Sequence, residues 1–242
     1  AQDPTSEVQA RTALIQLALA GKKITEAQGQ LAELKKQHAR NAQTHYLEAL
    51  VAYAEKDYAR AESIVDTLLR SLPGNPQLLM LGGAASMQRG GLVAAETQIG
   101  KAIQLLDNSP AARLLMGEVY LRMGQPAKTL NVLKPTLEGG SIDGATHAMA
   151  GRAHLHAGQP AEAEAHFLAA AKLNPNDYGL RTALALVELA KGNSAQAFDT
   201  LQSIAAQDAN ETADMALISA HLRRREFDAA LPAIQRLEAK QA

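Results

Sequence analysis

Small residues recur every 34 positions along this chain, and that regularity restricts the fold more than any other feature. Ala49, Gly83, Gly117, Gly151 and Ala185 stand 34 apart, and so do Ala27, Ala61, Ala95, Thr129, Ala163 and Ala197. A period of this length marks one supersecondary unit copied along the chain, and a single copy cannot bury its apolar face alone. The clearest copy runs from Gly144 to Asp177. Ala150-Gly151 lies midway along a first helical run, and Gly158-Gln159-Pro160 breaks it. Ala163, Phe167 and Ala170 follow at spacings of four and three, which is one face of a second helix. Asn174-Pro175-Asn176 stops that helix. The unit is a helical hairpin.

On these residues the chain resembles the tetratricopeptide repeat (TPR) family, whose hairpins have this period. The small–Gly, Ala-x₃-Phe and Pro positions match best in Gly144–Asp177. The resemblance implies an all-α fold, a right-handed superhelix (α-solenoid) of about seven helix-turn-helix repeats. Those repeats fall at about 8–41, 42–75, 76–109, 110–143, 144–177, 178–211 and 212–242, after an N-terminal extension, 1–7. Pro76 and Pro110 open repeats, where proline's fixed φ and missing N–H cost nothing. In repeat one the first helix carries Leu14, Ile15 and Leu17, and Gly21-Lys22-Lys23 forms the turn. Gly83 suits a close helix contact; Gly82, beside it, has no evident reason for being glycine. Residues 138–144, Glu-Gly-Gly-Ser-Ile-Asp-Gly, read as the loosest junction, and proteolysis is expected first near Gly139–Asp143. In repeat seven, Ala230 follows Ala197 by 33 residues, so a turn tighter by one residue is expected.

Composition agrees with such an array. Hydrophobic residues make up 47% of the 242 positions, but aromatics only 3%, and Trp is absent. The core is therefore built from Ala, Leu and Ile, which lets helix axes approach closely. A formal net charge of −1 gives no reason to expect a nucleic acid or an anionic membrane as partner. With no Cys, disulfides and thiol chemistry are excluded. No apolar run approaches the length of a membrane span, and Ala1–Ser6 lacks the basic-then-apolar pattern of a signal peptide.

Residues that could carry chemistry read more simply as packing or surface. His147, His154 and His156 would be the candidates for a metal site. His147 and His154 share a helix face at a spacing of seven and fall where TPR helices place large packing residues. A zinc site would need further ligands and support that nothing here signals, so no metal and no cofactor are expected. Glu162 and Glu164, two apart on a helix, point different ways. Gly90-Gly91 and Gly139-Gly140 lack the preceding strand and following Gly-Lys-Ser/Thr of a phosphate loop. Arg223-Arg224-Arg225 reads as a solvated helix end rather than a nucleic-acid contact.

The resemblance implies that function lies on the inner face. In TPR proteins the first helices line a concave groove through positions two, five, nine and twelve of each repeat. Carried over, this gives Gln43, Tyr46, Leu50 and Tyr53 in repeat two and Gln77, Met80 and Met87 in repeat three. It gives Leu114, Glu118 and Leu121 in repeat four, Arg152 and Leu155 in repeat five, and Leu186 and Leu189 in repeat six. The set is largely apolar, and Tyr46, Tyr53, Met80 and Met87 form an aromatic and thioether patch suited to an apolar segment. The cochaperone class of TPR proteins grips a terminal carboxylate with Lys, Asn and Arg at positions five and nine. Thr12/Gln16 and Tyr46/Leu50 do not match that pattern.

The expected function is a non-catalytic scaffold holding a protein or peptide segment. The Ala-rich repeats with Gly-Gln-Pro turns resemble bacterial envelope TPR lipoproteins of exopolysaccharide and PEP-CTERM (exosortase) loci. That resemblance implies a periplasmic or outer-membrane-associated protein. The alternatives are a cytoplasmic adaptor and a TPR-bearing enzyme subunit with a metal at His147, His154 and His156. Leu231, Ile234 and Leu237 lie three apart on the last helical stretch. The open edge expected there implies either a segment of a longer repeat protein or self-association through that edge.

Overall fold

A computed structural model describes residues 4–107, 109–139 and 143–241. Among the described residues there are fourteen α-helices and no strand. They fall into two compact units, residues 1–123 and 124–242. The first unit holds α1 (Pro4–Ala20), α2 (Ile24–His38), α3 (Ala42–Ala54), α4 (Tyr58–Ser71), α5 (Pro76–Gln88), α6 (Leu92–Leu105) and α7 (Pro110–Arg122). The second holds α8 (Pro126–Glu138), α9 (Gly144–His156), α10 (Pro160–Leu173), α11 (Tyr178–Lys191), α12 (Ser194–Gln207), α13 (Thr212–Arg223) and α14 (Phe227–Gln241).

Packing within each unit follows the repeat. The two helices of a hairpin pack on each other, and the second packs on the first helix of the next hairpin. First helices also touch first helices: α1 with α3, α3 with α5 and α5 with α7 in one unit, α9 with α11 and α11 with α13 in the other. The first helices therefore form the inner row. The small positions make this approach feasible. Ala27, Ala61, Ala95, Thr129, Ala163 and Ala197 are all sealed from solvent, as are Ala49, Gly83, Gly151 and Ala185. Each offers little side chain at a helix crossing, so the axes come close.

Local chemistry repeats with the same step. Asn41, Asn75, Ser109, Asp143 and Asp177 each accept a hydrogen bond from a backbone N–H in the first turn of the helix that follows. A side-chain oxygen at this place satisfies donors that have no partner inside the helix. Within the hairpin turns one residue takes a left-handed conformation: Lys22, Lys56, Gly90, Gly124, Gly158, Gly192 and Arg225. The next residue's N–H then reaches back five positions, as from Asp57 to Ala52 O at 2.9 Å and from Gln159 to His154 O at 2.9 Å. This closes the carbonyls that a helix end otherwise leaves open.

Several expectations need correction. α1 begins at Pro4, so the stretch set aside as an extension already contains its first turn. On α1 only Ile15 of the three named residues is buried; Leu14 and Leu17 are 46% and 70% exposed. In the seventh hairpin the residue lost is in the helix: α13 has 12 residues where α9 has 13, and both are followed by three-residue turns. Gly82 does have a reason, since a Cβ there would lie 2.8 Å from Gln98 Oε1 and 3.0 Å from Val65 Cγ1. Of the junction 138–144, residues 140–142 lie outside the described residues.

Candidate interaction groove

A recess lies on the inner row of the second unit. α9, α11 and α13 leave a groove of about 710 Å³ between them. Leu155, Leu186, Leu189 and Ala216 line it, with Ala190 and Ala220 beside them. Leu186 and Leu189 rest on the core formed by Ala185, Leu201, Ile204 and Leu217, which fixes the floor. His156, Ser194, Ser219, Arg223 and Arg224 supply the polar lining, and no Asp or Glu is among the described lining residues. The recess is thus apolar below and cationic at one end.

That cationic end is held in place. Arg224 Nε donates to Glu226 Oε1 at 2.7 Å, and its guanidinium lies 5.4 Å from the centre of the Phe198 ring. Phe198 stacks on His221 at 4.3 Å, and His221 Nδ1 is 2.9 Å from Glu226 Oε2. Hydrogen bonds from His221 and Arg224 hold the Glu226 carboxyl below its ordinary range. Arg223, one residue earlier, is exposed and forms no ion pair among the described residues.

Of the fourteen residues expected to form the inner face, Leu155, Leu186 and Leu189 line this groove. Arg152 is exposed on α9 but not among the lining residues. In the first unit, Gln43, Tyr46 and Gln77 meet in a smaller recess of about 260 Å³ with Leu68, Leu72 and Leu78. Burial raises the Tyr46 hydroxyl above its ordinary pKa. Met80, Leu114 and Glu118 are half-buried, and Glu118 accepts a hydrogen bond from Arg122 at 3.1 Å. Leu50 packs against the cores on both sides of α3. Tyr53 turns its ring to Tyr58 of its own hairpin, edge-on at 5.2 Å. Met87 and Leu121 are 4% and 6% exposed, so these two are core residues and not groove contacts. The aromatic and thioether patch is correspondingly smaller than expected, because hairpin packing takes up Met87 and part of Tyr53.

The lining residues of α13 lay outside the expectation, although a signal for them existed. Positions five, nine and twelve of the seventh repeat are Ala216, Ala220 and Arg223, and all three line the groove. The inner-face rule simply extends one repeat further.

The histidines also group differently. His147 on α9 and His166 on α10 bring their Nδ1 atoms within 3.0 Å, and His154 stacks on His166 at 5.2 Å. His156, offered with His147 and His154 as a metal site, lines the groove instead. Burial, and then the neighbouring His154 and His147, lower the pKa of His166. Among the described residues no group of three or more His, Cys, Asp or Glu is placed to hold a metal ion. Among the described residues no helix is long and apolar enough to cross a membrane. On α14, Leu231 is 51% exposed, whereas Ile234 and Leu237 are half-buried.

Stacked hairpins with an inner row of helices and a groove on it define a repeat protein of the helix-turn-helix kind. The tetratricopeptide repeat family pattern matches residues 12–76 and 148–212, more than half of the chain, and the protein belongs to that family. It is 29% identical over 93 residues to TPR repeat-containing protein YpiA of Bacillus subtilis; the match takes in 38% of this chain and 22% of that one. Among solved structures, a tetratricopeptide repeat protein from Parabacteroides merdae is similar with a TM-score of 0.75 at 12% identity, covering 98% of this chain and 94% of that one. Another is the structure of the APC/C hetero-tetramer Cut9–Hcn1, with a TM-score of 0.78 at 12% identity over 93% of this chain and 45% of that one. PilW, a type IV pilus biogenesis factor, has a TM-score of 0.70 at 17% identity over 82% of this chain and 92% of that one. These are likenesses of fold. The fold is that of a protein-interaction scaffold.

Proposed function

We propose that the protein is a non-catalytic scaffold that holds a segment of a partner protein in the groove on α9, α11 and α13. The observation that carries this reading is the groove itself. Its apolar floor rests on a packed core, so it is a standing surface that can bind without first being ordered.

A photo-crosslinking residue placed at Ser219 should give a discrete adduct in cells, and one placed at Asp199, away from the groove, should not. Leu189→Glu should remove the Ser219 adduct while leaving the helical content unchanged. Adducts from position 199 alone would overturn the groove assignment.

We further propose a location in the bacterial envelope, at an assembly serving exopolysaccharide or PEP-CTERM protein sorting. Only the Ala-rich, Gly-Gln-Pro-turned style of the repeats supports this part. Fractionation of the source cells tests it, and recovery solely from the cytosol would favour the adaptor reading.

A further inference from the structure

We infer that the groove on α9, α11 and α13 selects a partner segment carrying aliphatic side chains next to Asp or Glu. This rests on the groove being the binding surface and goes on to name what fills it. The argument is one of charge set against an apolar floor. The whole chain is nearly neutral, with 24 Lys and Arg against 25 Asp and Glu. Among the described residues, the groove departs from that balance: Arg223 and Arg224 line one end, and no carboxylate lines any part. A segment with aliphatic side chains would cover Leu155, Leu186 and Leu189, and its carboxylates would meet the two guanidiniums.

The two arginines differ in readiness. Arg224 is already oriented, by Glu226 through Nε and by the Phe198 ring beneath it. The Nε contact to Glu226 leaves the terminal nitrogens of its planar fork to face a second carboxylate. Little side-chain freedom remains to be lost there when a partner arrives, which favours binding. Arg223 is exposed and forms no ion pair among the described residues, so no existing contact has to break. The cluster around Arg224 is buttressed further by the His221 ring stacked on Phe198. A neutral apolar segment would leave the exposed Arg223 charge without a partner, Arg224 being already paired with Glu226. A basic segment would bring like charges together over a low-dielectric floor, where repulsion is least screened.

A displayed library of random dodecapeptides, panned on the immobilised full chain, reads both levels of the inference. The expected result is enrichment of peptides that pair Leu, Ile or Val with Asp or Glu. Their affinity should fall at least tenfold for Arg223→Glu and several-fold for Arg223→Gln, and it should weaken as salt rises. Arg223 is exposed, so neither change should alter folding, and circular dichroism checks that. If the enriched peptides are neutral or basic but still lose binding to Leu189→Glu, the groove stands and the acidic selectivity fails. If enriched peptides bind Leu189→Glu as well as the parent, the groove reading itself fails.

Discussion

A Cβ atom added to Gly151 would lie 2.8 Å from both Cδ1 and Cε1 of Phe167. Phe167 is 1% exposed and is the largest fully sealed side chain among the described residues, so its ring has nowhere to go. The α9–α10 crossing is therefore set by the pairing of no side chain with a large one. Gly151→Leu should destabilise the second unit by about 3 kcal/mol, since overpacking forces strained rotamers or a wider crossing. Phe167→Leu in the same chain should return part of that loss by vacating space. Urea unfolding of the two single variants and the double variant would show the coupling. Simple addition of the two losses would mean that the side chains do not compete for one space.

Gly192 gives a contrasting case. Its φ is +94°, and a Cβ there would meet nothing within 4 Å. The cost of Gly192→Ala is then conformational only, about 1 kcal/mol. The same turn position in the second hairpin holds Lys56 at φ +64°. Lys56→Gly should relieve that strain, offset partly by the added freedom of the unfolded chain, for a net gain of about 0.5 kcal/mol. Melting temperatures that move the same way for Gly192→Ala and Lys56→Gly would contradict this account of the turn.

The contrast between these glycines shows how far the sequence could be read. The 34-residue step can be followed along the chain because small residues at a crossing have few substitutes, and it shortens to 33 at Ala230. Whether a given glycine serves a crossing or a turn was legible for Gly151, but not for Gly82, whose reason lies in Gln98 and Val65. Part of the groove was legible too: Leu155, Leu186 and Leu189 followed from repeat position. Met87 and Leu121 hold the same repeat position as Leu155 and Leu189 but are sealed, because how tightly neighbouring hairpins close over a side chain is not a local property. His166 was not seen as a partner of His147 and His154, since it belongs to the other helix of the hairpin.

A buried carboxylate fastens the last helix. Asp214 on α13 is fully sealed and accepts from Arg236 Nε at 2.9 Å and Lys240 Nζ at 2.7 Å, both on α14. Lys240 also donates to the carbonyls of Ala205 and Asn210, each at 3.0 Å. Asp214→Ala removes the common partner of two cations and should cost about 3 kcal/mol. Amide hydrogens of α14 should then exchange faster than those of α9 and α10. Uniform acceleration through the second unit would show that the triad is not what secures α14.

The histidine stack sets a pH dependence. His147 and His166 face each other through Nδ1 at 3.0 Å, so one nitrogen must donate and the other accept. Protonating both rings would place two donors in opposition. Burial, assisted by His154 and His147, holds the pKa of His166 below the ordinary value of 6.5. Below that ordinary value the unfolded chain takes up the proton more readily than the folded one. The contribution of neutral His166 is therefore fully present above about pH 6.5 and is lost as pH falls toward its lowered folded value. The urea midpoint of the protein should drop between pH 7.5 and pH 5. His166→Gln keeps a neutral hydrogen-bonding group at the site and should lessen that drop. An equal drop in the variant would assign the pH dependence to other groups and remove His166 from the explanation.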